Sequence, residues 1–348
     1  MSDIFALEKL INAKTPIILF PEREEDLKLV HEIIESNTVT VVDSLKQQIE
    51  DLKKIPQISD VFEEKRCDVW IFFPWKNTIL HSLNQKWFLQ VKSSRNLFIL
   101  SPEEQQRYYD LKVGIAGLSV GATIASLLAL ENGGKYFCIA DKDSLNLSNL
   151  NRINTSVLNL GKNKVDICSE VLFEINPFLE INTFESGITK ENVNSFFCDT
   201  KLNLVIEETD DLEIKYLLRK YAKRYSVPLM MLTSIDSKLL VDFEDYRDST
   251  TKPFHGKLSQ SKLEDLSSGN LKKKSEGAIQ ILGLEHFSEK VKYTFGQLGK
   301  KVNAFPQLAS GAYLRAAATS LFVRSIFAYN FKIPSGRYTL DLQKMIDN

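Results

Sequence analysis

Arg152, Lys164 and Asp210 are a guanidinium, an ammonium and a carboxylate in one stretch of chain, the groups that together handle a polyphosphate. An arginine grips phosphate oxygens as a bidentate fork. A lysine opening a helix adds its charge to the positive helix end. An aspartate holds Mg²⁺ together with substrate phosphates. Upstream, Gly114, Gly117 and Gly121 flank Ser119 in a G-x-x-G-x-x-x-G run, where glycine admits a close ligand and the next helix offers its N–H groups. That spacing differs from the G-x-G-x-x-G of dinucleotide binders. Asp141 lies about twenty residues beyond Gly121, at the end of the next apolar run, where a carboxylate accepts hydrogen bonds from a ribose diol. Asp143 follows it. If Ser148 to Arg152 forms a helical turn, Asn149 and Arg152 share one face and one anion. The competing reading is a surface salt-bridge cluster, with Thr209 or Asp210 serving only as a helix cap.

These residues need a scaffold, and the pattern around them supplies one. Lys112–Ala116, Tyr136–Asp141, Leu179–Phe184, Leu202–Ile206 and Pro228–Leu232 are short apolar runs. Between them fall the helical stretches Ala122–Leu130, Lys164–Ile175, Thr189–Phe197 and Asp211–Tyr225. Strand–helix alternation predicts an α/β, Rossmann-like open sheet, mostly parallel, with helices on both faces. Ligands then bind beyond the carboxyl ends of the strands.

Residues 1–100 read as a small α/β module, with strands at Pro16–Phe20, Thr38–Val42 and Asp68–Phe73 and with Trp70, Trp75 and Trp87 as core or interface. Residues 101–348 read as the nucleotide-type domain. The polar run 257–277, containing Lys272-Lys273-Lys274, reads as a mobile surface loop and a candidate lid. After Phe305-Pro306-Gln307 comes an Ala-rich helix, Leu308–Phe327, and then a late strand, Ser335–Asp341.

The 348 residues hold 44 Lys plus Arg against 45 Asp plus Glu, for a net charge of −1. That balance argues against a general polyanion-binding role, so no nucleic-acid partner is expected. The first residues carry Asp3 and Glu8 and lack a long apolar core, unlike a secretory signal. No stretch approaches a membrane span, so a soluble, cytoplasmic protein with no membrane partner is expected. Cys67, Cys138, Cys168 and Cys198 are far apart and form no C-x-x-C, against a disulfide scaffold or zinc ribbon.

Gly117-Leu118-Ser119-Val120-Gly121, Asp141-Lys142-Asp143, Ser148-Asn149-Leu150-Asn151-Arg152, Gly161 with Lys164, and Thr209-Asp210 together resemble the ThiF/MoeB group of adenylyltransferases, the fold shared with ubiquitin-activating enzymes. The resemblance covers roughly residues 110 to 245. It implies ATP and Mg²⁺ as cofactors and attack by a substrate carboxylate on the α-phosphorus, giving an acyl-adenylate and pyrophosphate. It implies that Asp141 holds the ribose, that Asn149, Arg152 and Lys164 hold the triphosphate, and that Asp210 holds Mg²⁺. The substrate is then a ubiquitin-like protein tail, a peptide or a small acid. A homodimer is implied, with an upstream arginine entering the partner's site; Arg95 is preferred over Arg107. The family's paired C-x-x-C motifs are missing here, so no zinc is expected. No cysteine follows Cys198, so the acyl group is expected to pass to an outside nucleophile or within the bound substrate. Residues 1–100 have no counterpart in the minimal enzymes and suggest a docking module.

Two other classes compete. An NAD(P)-linked oxidoreductase would use the glycine turn and Asp141, but it leaves Arg152, Lys164 and Asp210 unexplained. Among His31, His81, His255 and His286, only His255 merits a test as its base. A non-catalytic partner subunit of the same fold would not need both cations and Asp210 together.

Overall fold

A strand that is apolar at every position is stable only where both faces are covered. In the computed structural model, Tyr136–Ala140 (β6) and Leu204–Glu207 (β8) are buried along their whole length. The structure describes residues 13–36, 38–59, 61–235, 237–265, 271–297, 300–302 and 306–346. Two compact units result, residues 1–105 with 170–179 and residues 106–169 with 180–348.

In the first unit, β1 (Ile17–Leu19), β2 (Thr40–Asp43), β3 (Asp68–Phe73) and β4 (Thr78–Leu83) form a sheet in the order β1-β3-β4-β2. Only the β2–β4 pairing is parallel. Strand β4 is absent from the sequence reading. Helix α1 (Glu24–Glu35) packs Val30 and Ile33 with Leu19, Phe72 and Ile79. Helices α2 (Leu45–Lys53) and α3 (Gln85–Ser93) close a second cluster around Ile49, Leu52, Cys67 and Leu83. Trp87 lies in that cluster, while Trp70 stacks on His81 with ring centres 4.2 Å apart.

Helix α4 (Pro102–Tyr109), which begins in the first unit, precedes β5 (Lys112–Ala116), α5 (Gly121–Leu130), β6, α6 (Lys164–Ile175, whose residues from 170 on belong to the first unit), β7 (Glu180–Phe184), α7 (Val193–Cys198) and β8. Helix α8 (Leu212–Tyr225) leads into β9 (Leu229–Ile235) and β10 (Lys238–Glu244). The seven strands run β11-β10-β9-β8-β5-β6-β7, with β11 (Gly336–Asp341) at one edge. Strands β9, β8, β5, β6 and β7 are parallel, whereas β10 and β11 are antiparallel. The sheet is therefore Rossmann-like, open and mostly parallel. From β5 the chain proceeds to β6 and β7 on one side and to β8 and β9 on the other. The crevice at such a reversal is where an open α/β sheet binds its ligand.

The polar run 257–277 is not the loop expected of it. Gln260–Asp265 (α9) and Leu271–Leu282 (α10) are helical, and 266–270 lie outside the described residues. Leu263 and Ile281 bury against Met231, Phe254 and Leu258, an apolar anchor thin enough for the surrounding lysines to hide it in the sequence. Helix α11 (Glu289–Gln297) follows. Helix α12 (Ala309–Val323) ends in a π-type turn, Arg324–Ala328, and Phe305 lies outside the described residues. No described helix is long and apolar enough to cross a membrane.

Candidate active site

The turn after β5 opens the site. Gly117 has φ +90°, and a Cβ there would sit 2.6 Å from the Glu208 backbone. Glycine is thus required to let the β5 and β8 turns touch, with strain of about 1–3 kcal/mol for any other residue. Gly114 and Gly121 serve packing instead, against Phe196 with Leu202 and against Ile115. Helix α5 then begins without a side-chain cap, so its first N–H groups are the orphan donors of a helix start.

Asp141 ties this turn to the next one. Its carboxylate accepts from Leu118 N–H at 2.6 Å and from Asp143 N–H at 2.8 Å. These two bonds leave about two of its roughly four acceptor positions for another partner.

A cavity of about 270 Å³ lies over the strand ends. Of the residues singled out in the sequence, Gly117, Ser119, Asp141, Asp143, Arg152 and Asp210 line it. Gly121, Asn149, Lys164 and Arg95 do not. Asn149 is occupied by a capping box, its Oδ1 accepting from Asn146 N–H at 3.0 Å. The Lys164 ammonium is buried beneath the wall, 2.9 Å from Asp143 and 3.9 Å from Asp141. Of the three residues expected to reach one anion, Arg152 lines the cavity, while Asn149 and Lys164 stand behind it, with Lys164 bracing its acidic wall through Asp143. Arg95 is exposed within the first unit. Arg107 donates from Nε and Nη2 to Ala328 C=O at 3.0 and 2.6 Å, which commits it to a helix end.

Arg152 gives Nη1 to Asn151 Oδ1 at 2.9 Å, while its buried Nε finds no partner. Burial and the positive charge of Arg315 push its pKa down. Two guanidiniums thus share one cavity, an arrangement that an anion relieves.

Arg315 is the residue that sequence reasoning missed. It stands in Leu314-Arg315-Ala316-Ala317-Ala318, and a lone arginine in so apolar a run was the available signal. Its Nη1 pairs with Glu208 at 3.0 Å. Burial pushes the Glu208 carboxyl up to about 7, against the pull of Arg315 and Lys215.

The turn after β8 separates the acids by role. Asp211 caps α8, its Oδ1 accepting from Glu213 N–H at 2.9 Å. Thr209 Oγ1 accepts from Asp211 N–H at 3.2 Å. Asp210 is left exposed at the cavity with no ion pair among the described residues.

No activated thiol accompanies the site. Cys67, Cys138, Cys168 and Cys198 are absent from the cavity lining. All four have raised pKa values, chiefly through burial, the opposite of a reactive cysteine. His255 pairs with Asp242 at 3.0 Å and takes no part in the cavity. Among the described residues, no group of three or more His, Cys, Asp or Glu forms a protein-only metal cage.

Residues 93–238 match the ThiF family. The chain is 30% identical over 334 residues to the uncharacterized protein MT1398 of Mycobacterium tuberculosis, covering 95% of this chain and 46% of that one. It is 29% identical over 139 residues to the tRNA threonylcarbamoyladenosine dehydratase of Bacillus subtilis, covering 39% of this chain and 54% of that one. The chain spans about half the length of these curated relatives. Among solved structures, PaaA shares the fold with a TM-score of 0.51 at 20% identity, over 74% of this chain and 68% of that chain.

Proposed function

The chain carries a ThiF-family domain, and from that premise we propose that it is an ATP- and Mg²⁺-dependent adenylyltransferase that activates a carboxylate as an acyl-adenylate. The observation that carries this reading is the pair of guanidiniums, Arg152 and Arg315, lining one cavity at the strand ends, with Arg152 Nε buried and unpartnered. Names among the relatives run the same way, including a sulfur carrier protein ThiS adenylyltransferase of Escherichia coli.

The lining suits ATP. Val120, Ile188 and Ile214 give an apolar wall for the base. Asp141 has acceptor capacity for the ribose diol. Arg152 and the uncapped start of α5 face the phosphates, with Arg315 at the edge of the cavity. Asp210 suits a Mg²⁺ held jointly with phosphate oxygens, the usual mode for this ion. When bound, Mg²⁺ neutralises charge on the departing pyrophosphate.

The protein's part in the step is alignment and charge neutralisation. The substrate carboxylate is already ionised, so no general base is needed. One of its oxygens forms a bond to the α-phosphorus as the bond to the β-phosphate oxygen breaks, and pyrophosphate leaves. Arg152 holds the charge that builds at the α-phosphate. The Leu118 and Asp143 N–H groups hold the Asp141 carboxylate in place. With no thiol in the cavity, the acyl group passes to a nucleophile outside the protein or within the substrate. Arg95 lies beside Phe98 and Ile99, which are 92% and 64% exposed. Such exposed apolar residues suit an interface, and we assign Arg95 to the partner's site in a homodimer.

ATP–pyrophosphate exchange tests the reading. With Mg²⁺ and a panel of acids, peptides and ubiquitin-like tails, the wild type is expected to exchange label. Asp210→Ala should lose about 10²–10³ in rate while staying folded. Full exchange in that variant would remove the mechanism.

A further inference from the structure

A second cavity, of about 240 Å³, shares Arg315 and Gln307 with the first. Its floor is built to stay small. Ser234 Oγ donates to Gly311 C=O at 3.0 Å, and a Cβ on Gly311 would meet the Ser234 side chain at 3.2 Å. Leu308 adds an apolar wall, and Lys290 stands at the exposed side.

The charges lining it are one-sided. Lys290 and Arg315 are present and no carboxylate is. Lys290 forms no ion pair with an acid among the described residues. Arg315 spends Nη1 on Glu208 and directs Nε at Gly311 C=O, 3.4 Å away, so Nη2 keeps its donors. A carboxylate received by Arg315 stands at the boundary with the cavity assigned to ATP.

Resting on the adenylyltransferase reading, the geometry points to this second cavity as the seat of the acid, and to an acid that carries a second anionic group beside the carboxylate to be activated. Arg315 takes the reacting carboxylate and Lys290 the second charge. Leu308 covers the carbon chain between them. A substrate with a cationic group meets two like charges and no partner, which disfavours it.

The test pairs acids matched in shape that differ in the second charge: glutarate with its monoamide glutaramate, and N-acetylglutamate with N-acetylglutamine. In ATP–pyrophosphate exchange, the doubly charged member of each pair is expected to show a KM about fivefold lower. Lys290→Gln should remove that preference, and Lys290→Glu should reverse it. Arg315→Lys should raise KM for all four acids, because a point charge replaces the fork. Equal KM values within each pair, or a preference that survives Lys290→Gln, would overturn the assignment.

Where none of the four supports exchange, equilibrium binding of isotopically labelled glutarate to the protein saturated with a non-hydrolysable ATP analogue decides. Binding that is lost in Lys290→Gln supports the assignment, and binding that is absent or unchanged in the variant overturns it. Calorimetric titration with ATP alone separates the two readings. A protein that binds ATP but shows no acid preference refutes only this inference, whereas one that binds no ATP refutes the nucleotide site.

Discussion

Glu207 ends β8 and Glu208 is the next residue, yet the two carboxylates meet different partners. Glu207 enters a closed cluster. Arg219 Nη1 lies 3.1 Å from it, Lys215 Nζ lies 2.8 Å from it, and Arg219 Nε forms an ion pair with Glu244 at 2.8 Å without good hydrogen-bond alignment. The Arg219 guanidinium also lies over the Phe254 ring, 3.9 Å from its centre. Glu208 instead holds Arg315 at the wall of the open cavity. The two regions use the same residue types for different ends. In the first, charges neutralise one another out of water and leave no room for a ligand. In the second, Arg152 Nε, Asp210 and part of Asp141 keep capacity that the protein itself does not use. Residual capacity in a cavity, rather than charge as such, marks the site.

Breaking the closed cluster should have the largest effect on stability. Arg219→Leu strands the buried Glu244 carboxylate, leaves Glu207 with Lys215 alone, and is expected to cost about 3–5 kcal/mol, read by denaturant unfolding at pH 7. A loss below about 1 kcal/mol would show that the cluster is not closed as described.

A smaller effect sharpens the contrast from the cavity side. The Glu208 carboxyl titrates near 7 in the fold and near its ordinary 4.5 when unfolded. Between those values the native state binds more protons than the unfolded one, so this group's stabilisation is full below about 4.5 and is lost as pH rises through 7. The slope is at most about 1.4 kcal/mol per pH unit. Glu208→Gln should flatten that part of the stability profile. A profile unchanged by the substitution would contradict the shift.

The sequence shows most clearly what is local. The Gly117 turn, Asp141 at its strand end and the Thr209–Asp211 turn are each set by a strand running out into a loop, so a few adjacent residues suffice to place them. Arg315 and Gln307 come from a distant helix and its approach, and no spacing rule connects them to Arg152. Lys164 is legible in part. Its position after Gly161 suits a phosphate, and only the fold shows that its ammonium also meets the Asp143 carboxylate. Strand β10 stayed hidden because Asp242 and Glu244 break its apolar pattern. Both are buried, with Asp242 held by the Arg337 fork at 2.8 Å from each oxygen and Glu244 by Arg219, partners that only the fold supplies.

The central claim is that Arg152 keeps its charge for a nucleotide and not for the fold. Calorimetric titration of the wild type and Arg152→Ala with Mg²⁺–ATP, alongside thermal unfolding of both in the absence of nucleotide, measures this directly. ATP affinity should fall at least about tenfold, the loss of one charge-assisted contact, with the unfolding midpoint held within about 2 °C. Equal ATP affinity in the two proteins, or a variant that loses its fold before its ligand, would contradict the account.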